Sequence, residues 1–155
     1  MDKSVLISIR PKWCEMIATG EKTIELRKSR PKMETPFKCY IYRTFPNSGD
    51  WCEKDGRVIG EFVCDDIDEI SVYHDTIYCV NNTQPKKLKQ MCLTLDDVIS
   101  YLGDGNHGYT WHISDLKIYD TPKELSEFET ADYKHLPISR RTVERPPQSW
   151  MYVEK

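Results

Sequence analysis

The sequence lacks the short motifs that mark a P-loop nucleotide-binding enzyme or a serine hydrolase. Its 155 residues contain neither a G-x-x-x-x-G-K-[ST] nor a G-x-S-x-G pattern, which removes the usual support for a P-loop or a nucleophile elbow. There is no C-x-x-C pair, and His107 and His112 are not spaced to place two ligands on one helix face. We therefore expect no metal site and no cofactor.

Long apolar runs and a strong net charge are also missing. No segment approaches the roughly 20 apolar residues of a membrane helix, and the opening MDKSVLISIR carries charges instead of an apolar signal region. The formal net charge is only −3, although 30% of the residues are charged. We expect a cytoplasmic protein without a membrane partner, on which any nucleic-acid surface is local.

Length and cysteine spacing together indicate a single compact domain, 1–155, with reduced thiols. A chain of this length with 39% apolar residues can bury a sizeable core. The six cysteines are dispersed and lie mostly in apolar stretches, which favours buried thiols over a disulfide framework.

The first half of the chain alternates strand patterns with one helix pattern. Residues 4–9 have the composition of a buried strand, and Pro11 fits the first turn of a helix that Gly20 ends. From Thr23 the apolar period changes to two, which predicts a half-buried strand with a charged face. Further strands are predicted at 37–44 and at 57–67, where Gly60 indicates a bulge or a close backbone approach.

The second half predicts a helix followed by closing strands. Residues 80–91 have the composition of a polar, basic connection, and Thr94 to Asp97 resembles a capping box that opens a helix through Leu102. GYTWHI and LKIYD predict extended structure, PKELSEF a short helix, and SWMYVE a last strand. Several strands, two or three short helices and little β-α-β alternation predict an α+β domain that is mainly β.

One stretch of the sequence carries a family resemblance. SIRPKWCEMIATGEKTIELRK resembles the opening of the ASCH domain, with a G-x-K-x-x-E-x-R pattern at Gly20, Lys22, Glu25 and Arg27. GRVIGEFVCDDI and the aromatic closing strands also fit this family. The resemblance implies a PUA-like β-barrel, RNA binding or action on a modified nucleoside, a bacterial or phage source, and a ligand cleft beside the charged motif.

The charge of the chain is unevenly distributed. Residues 10–38 hold eight basic and four acidic side chains, a net charge of +4, which leaves −7 for the rest. Such a basic region can contact phosphates without general stickiness, and Arg140, Arg141 and Arg145 could join it if the last strand pairs near the first. A solvated strand face is the alternative interpretation.

The motif side chains have both a structural and a functional interpretation. Glu25 and Arg27 are two apart on a strand, about 6.5 to 7 Å between Cα atoms, so they can form a simple ion pair. Alternatively Lys22, Glu25 and Arg27 bind the polar edge of a base. The predicted ligand contacts are, in full, Lys22, Glu25, Arg27, Arg10, Lys12, Trp13, Lys28 and Arg30, with Trp13 as the stacking residue ahead of Tyr109, Trp111 and Trp150.

An enzymatic role stays open on the same residues. The N4-acetylcytidine amidohydrolases of this family use a motif lysine, a threonine three residues later and a loop glutamate. Here Lys22 matches, Glu25 replaces the threonine, and residues 76–95 contain no carboxylate. Lys22 and Glu25 are therefore candidates for a different chemistry, such as RNA cleavage, and a protein-interaction domain is the remaining alternative. His112 is predicted to be a structural, hydrogen-bonded histidine.

Overall fold

The architecture is mainly β in a computed structural model that describes residues 3–79, 84–131 and 141–155. Within those ranges there are eight strands and three α-helices. The chain divides into two compact units, each assembled from separate segments. Unit 1 comprises Met1–Glu15, Phe37–Val63 and Asp115–Lys155, and unit 2 comprises Met16–Pro36 and Cys64–Ser114.

The elements follow the predicted order with three additions, β5, α2 and β7 in the numbering that follows. The strands are β1 (Ser4–Ile9), β2 (Ile24–Arg27), β3 (Phe37–Arg43), β4 (Arg57–Tyr73), β5 (Thr76–Cys79), β6 (His107–Lys123), β7 (Glu129–Thr130) and β8 (Trp150–Glu154). The helices are α1 (Pro11–Ala18), α2 (Gln84–Met91) and α3 (Leu95–Leu102), with a 3₁₀ turn at Leu125–Glu127. None of these helices is long and apolar enough to cross a membrane.

The strands pair in the order β2-β6-β4-β3-β1-β8-β7, and β5 pairs with β4. The end strands of this order, β2 and β7, are not paired with each other in the described part of the chain. The mainly-β fold class is therefore confirmed, whereas closure into a barrel is not.

Unit 1 is organised around β1, which is buried along its whole length. It pairs in parallel with β3 and antiparallel with β8, and its Leu6 packs in a core with Tyr40, Phe128 and Val143. In the same unit a Cβ on Gly60 would lie 2.5 Å from the carbonyl oxygen of Lys117. This confirms the close backbone approach predicted at that glycine.

The described part of the closing segment also packs in unit 1. The backbone N–H of Val143 donates to the carbonyl of Phe128, and Ser8 donates its hydroxyl to the carbonyl of Pro147 at 2.6 Å. Residues 141–149 therefore lie along β1 and β7. Arg140 lies outside the described residues, and Arg141 and Arg145 are exposed.

Unit 2 has its own core beneath β2, β5 and the two later helices. Ile24 and Leu26 pack with Ile70, Val98 and other apolar side chains. The predicted capping box is present, since the hydroxyl of Thr94 accepts from the N–H of Asp97 and the carboxylate of Asp97 accepts from the N–H of Thr94. Helix α3 is thereby fixed at its first turn, and its buried residues reach the core of the unit.

Three predictions in unit 2 need correction. The predicted connection at 80–91 contains helix α2 from Gln84 onward, and residues 80–83 lie outside the described residues. The side chains of Leu88 and Met91 pack this helix against the core of the unit. The strand predicted at 57–67 continues to Tyr73, because Ile70 and Val72 supply buried positions. Strand β2 is buried on both faces rather than half-buried.

The structure also shows the setting of two smaller sequence features, a glycine-rich pattern and the six cysteines. The letters GDGNHG at 103–108 fit G-x-G-x-x-G, but they leave a helix and enter a strand, the reverse of the order in a dinucleotide site. All six cysteines are described and are free thiols, as predicted, although their burial is uneven: Cys14, Cys39 and Cys64 are buried and Cys52 is exposed.

Candidate functional site

The motif residues of unit 2 form a buried charged triad, defined here as Lys22, Glu25 and Arg27. The guanidinium of Arg27 donates from Nε to Oε1 of Glu25 at 3.1 Å, and its Nη2 lies 3.1 Å from the same oxygen. Nζ of Lys22 lies 3.5 Å from the other oxygen, Oε2. One carboxylate is thus held between two cations, and the ion pair predicted from the spacing of Glu25 and Arg27 is present.

Burial separates this triad from an ordinary solvated strand face. The relative exposures of Lys22, Glu25 and Arg27 are 3%, 6% and 9%. Nζ of Lys22 also donates to the backbone carbonyl of Met91 at 2.6 Å. Desolvation lowers the pKa of Lys22, while the charge of Glu25 partly opposes this shift. A lysine with a lowered pKa beside a carboxylate is the type of group found at functional sites.

The carboxylate of Glu25 has unused capacity to accept hydrogen bonds. Its Oε2 is buried and accepts no well-formed hydrogen bond from the described residues, although Nζ of Lys22 forms an ion pair with it at 3.5 Å. A buried acceptor without a donor costs about 1 to 3 kcal/mol. Nearly all such groups in native proteins are satisfied by protein, water or ligand.

Cross-strand register links the triad to an open groove. Arg27 is paired with Tyr109 and Glu25 with Trp111 across β2 and β6, so these four side chains share one face of the ribbon. Tyr109 also lines a groove of about 530 Å³. Its other lining residues are Lys28, Ser29, Arg30, Pro31, Lys32, Met33 and Glu34. The groove therefore begins at the residue that faces Arg27 and contains three basic side chains.

The basic residues of the groove have different roles. Arg30 donates to the carbonyls of Pro31 and Met33, at 3.4 and 3.1 Å, and so braces the loop that it belongs to. Lys28 and Lys32 are exposed. We conclude that the two lysines present charge to the groove, while Arg30 mainly fixes its shape.

Tyr101 is a site residue that the sequence analysis missed. It lies on α3 and is 42% exposed, and Nζ of Lys28 lies 5.0 Å from the centroid of its ring. Burial raises its pKa, with smaller electrostatic effects of Arg27 and Glu25. A tyrosine at the surface end of a helix, next to buried Val98 and Leu102, was the available sequence signal.

The remaining predicted contacts lie in unit 1. Arg10 and Lys12 are exposed, and Nζ of Lys12 lies 4.7 Å from the centroid of the Trp13 ring, which is half-buried. The structure thus brings together Lys22, Glu25 and Arg27, with Lys28 and Arg30 in the adjoining groove. It places Arg10, Lys12 and Trp13 in the other unit.

The other aromatic and histidine candidates divide between core and surface. Trp111 is fully buried, whereas Tyr109 and Trp150 are half-buried. Nδ1 of His112 lies 2.6 Å from Oδ1 of Asp65, in agreement with the hydrogen-bonded histidine that the sequence predicted.

Comparisons with known proteins support the fold. No protein-family model and no curated protein matches the chain. The crystal structure of ASCH from Zymomonas mobilis matches with a TM-score of 0.67 and 20% identity over 98% of this chain and 88% of that one. Two point mutants of that protein match with TM-scores of 0.67 and 0.68, at 20% and 21% identity, over 99% and 98% of this chain and 92% and 89% of theirs. The chain therefore has the fold of these ASCH proteins, the fold that the sequence resemblance implied.

Proposed function

We propose that the protein binds a nucleic-acid base at the triad, either within single-stranded RNA or in a free nucleoside. The adjoining groove would hold the rest of the ligand. The observation that carries this proposal is the buried Oε2 of Glu25, which accepts no well-formed hydrogen bond from the described residues. The fold agrees with the proposal, because ASCH domains are associated with RNA binding.

The triad is suited to the edge of a base rather than to a phosphate. The side chains of Glu25 and Arg27 retain only 9% and 10% exposure, so a planar edge fits better than a bulky anion. In this proposal the carboxylate of Glu25 accepts from an exocyclic amino group, and the guanidinium of Arg27 donates to a ring nitrogen or carbonyl. We therefore expect cytosine or adenine to be preferred over uracil, which has no amino group.

The groove is suited to the backbone next to the bound base. Lys28 and Lys32 supply positive charge, and phosphate contacts of this kind give affinity that falls with salt. Tyr101 and Tyr109 offer aromatic faces for stacking, each worth about 1 to 3 kcal/mol per base. The base edge would thus set specificity and the groove would set affinity.

Equilibrium binding of labelled oligocytidine and oligouridine tests the proposal. We expect Glu25→Gln to weaken oligocytidine binding by about ten- to a hundredfold, since a hydrogen bond to a charged group is worth about 1.5 to 3 kcal/mol. The same substitution should reduce the difference in affinity between oligocytidine and oligouridine. Lys28→Ala and Lys32→Ala should weaken both oligomers equally and reduce the salt slope by about 0.7 each.

Glu21→Gln is the matched control, because Glu21 is exposed and lies one residue before the triad. Its binding should equal that of the wild type. Wild-type affinity in Glu25→Gln, or no preference between the two oligomers, would contradict a base site at the triad.

An enzyme acting on modified nucleosides or RNA is the second candidate function. The lowered pKa of Lys22 favours it, since an amine must lose its proton to act as a base or nucleophile. If this candidate is right, incubation with N4-acetylcytidine releases acetate, or incubation with labelled RNA yields fragments, and Lys22→Met abolishes the turnover. No turnover of either substrate, or turnover unchanged in Lys22→Met and Glu25→Gln, would exclude it.

A further inference from the structure

Unit 1 carries an exposed aromatic pair that the proposed RNA site does not use. Phe45 and Trp51 are 47% and 69% exposed, and their ring centroids lie 4.7 Å apart at an interplanar angle of 45°. We call them the aromatic platform. Because aromatic residues are enriched at protein interfaces, two exposed aromatic rings in contact are a candidate binding surface.

The loop that carries the platform is anchored by a buried ion pair. Nε of Arg43 donates to Oδ1 of Asp55 at 2.7 Å, and Oδ2 of Asp55 accepts from the N–H of Cys52 at 2.8 Å. Nη1 of Arg43 donates to Glu15 at 2.5 Å. Burial opposes the charge of Arg43, but the hydrogen bonds to Asp55 and Glu15 outweigh it and raise its pKa. The loop that carries Trp51 is therefore held at its base by these contacts.

The ring of Phe45 is held in place by packing against Gly56. A Cβ on Gly56, whose φ is +74°, would lie 2.3 Å from the Phe45 ring, so the ring rests against the bare backbone of that glycine. The N–H of Gly56 donates to the carbonyl of Arg43 at 2.8 Å. Both rings are therefore preorganised, which reduces the entropic cost of binding a partner.

The charges beside the platform indicate the chemistry of its partner. Residues 46–56 contain three acidic side chains and one lysine. Asp50 and Glu53, on either side of Trp51 in sequence, are exposed and make no ion pair with the described residues, whereas Asp55 is committed to Arg43. Carboxylates here repel phosphates and attract ammonium or guanidinium groups, which also bind aromatic faces.

We infer that the aromatic platform is a docking site for a basic peptide segment of a partner protein, with an arginine or lysine seated on Trp51 between the carboxylates of Asp50 and Glu53. The site lies in unit 1 and does not depend on the RNA-binding proposal. It gives the protein a second surface, opposite in charge preference to the groove of unit 2.

Fluorescence anisotropy with a labelled peptide of alternating arginine and glycine tests this inference. We expect Trp51→Ala to weaken binding about two- to fivefold, the loss of a cation–π contact at an exposed site, and Gly56→Ala to weaken it by displacing Phe45. Asp50→Asn with Glu53→Gln should weaken binding severalfold. Tyr78→Ala removes another exposed aromatic side chain, in unit 2, and should leave the affinity unchanged.

Neutralising Asp120 and Glu144, two exposed acids of unit 1, controls for general charge attraction and should have little effect. Equal binding by wild type and Trp51→Ala, an equal loss from the control pair, or no binding at all would overturn the inference. Labelled oligouridine bound by the wild type and lost in Trp51→Ala would overturn it in favour of a base-stacking surface.

Discussion

Replacing Glu25 with alanine should lower the free energy of unfolding by about 3 to 5 kcal/mol. The reason is that Lys22 and Arg27 would keep their buried charges and lose the carboxylate that lies between them. Urea unfolding monitored by tryptophan fluorescence measures this loss, which is a large fraction of the stability of a small domain.

Glu69→Ala is the matched control for this substitution. Glu69 belongs to the same unit and lies 3.7 Å from His107, but both side chains are more than half exposed, so the expected loss is below about 1 kcal/mol. Equal losses in the two variants would mean that the triad is effectively solvated. Its residues would then be ordinary surface charges.

Replacing Lys22 with methionine should remove an alkaline rise in stability. The pKa of Lys22 is lowered in the folded protein from an ordinary value of 10.5. Between the lowered pKa and 10.5 the unfolded chain binds more protons than the folded one, so the free energy of unfolding rises with pH. The rise is at most about 1.4 kcal/mol per pH unit. Stability from this group is complete above 10.5 and is lost as the pH falls through the folded pKa.

Urea unfolding at several pH values between neutrality and 10.5 gives the comparison. The wild-type curve should rise relative to that of Lys22→Met, while Lys28→Met, at an exposed position, should run parallel to the wild type. Parallel curves for the wild type and Lys22→Met would contradict the lowered pKa, and with it the observation that favours the enzyme candidate.

Strand β2 shows how much of the candidate site the sequence pattern could predict. The period of two in residues 23–27 identified a strand, and the motif identified its charged residues. The pattern records side-chain type but not what covers each face of the strand, so it predicted a half-buried strand with a charged face. Mutual pairing of Lys22, Glu25 and Arg27 makes full burial possible, and that pairing depends on the fold.

The elements that were missed depend on tertiary contacts. Helix α2 has few apolar positions, and Leu88 and Met91 are stabilised by the unit 2 core rather than by a strong amphipathic pattern. The acidic run at 65–69 concealed the continuation of β4, although Ile70 and Val72 alternate as a strand requires. Tyr101 could not be connected with the motif because that relation arises only when α3 packs in unit 2.

Nuclear magnetic resonance of tryptophan indole groups tests the central claim most directly, that the triad is a base-binding site. Trp111 pairs with Glu25 across the strands, whereas Trp51 lies on the exposed platform of unit 1. On titration with oligocytidine we expect a saturable shift of the Trp111 indole resonance that is absent in Glu25→Gln, while Trp51 stays unchanged. A shift confined to Trp51 or Trp13, or a Trp111 shift that persists in Glu25→Gln, would contradict the assignment.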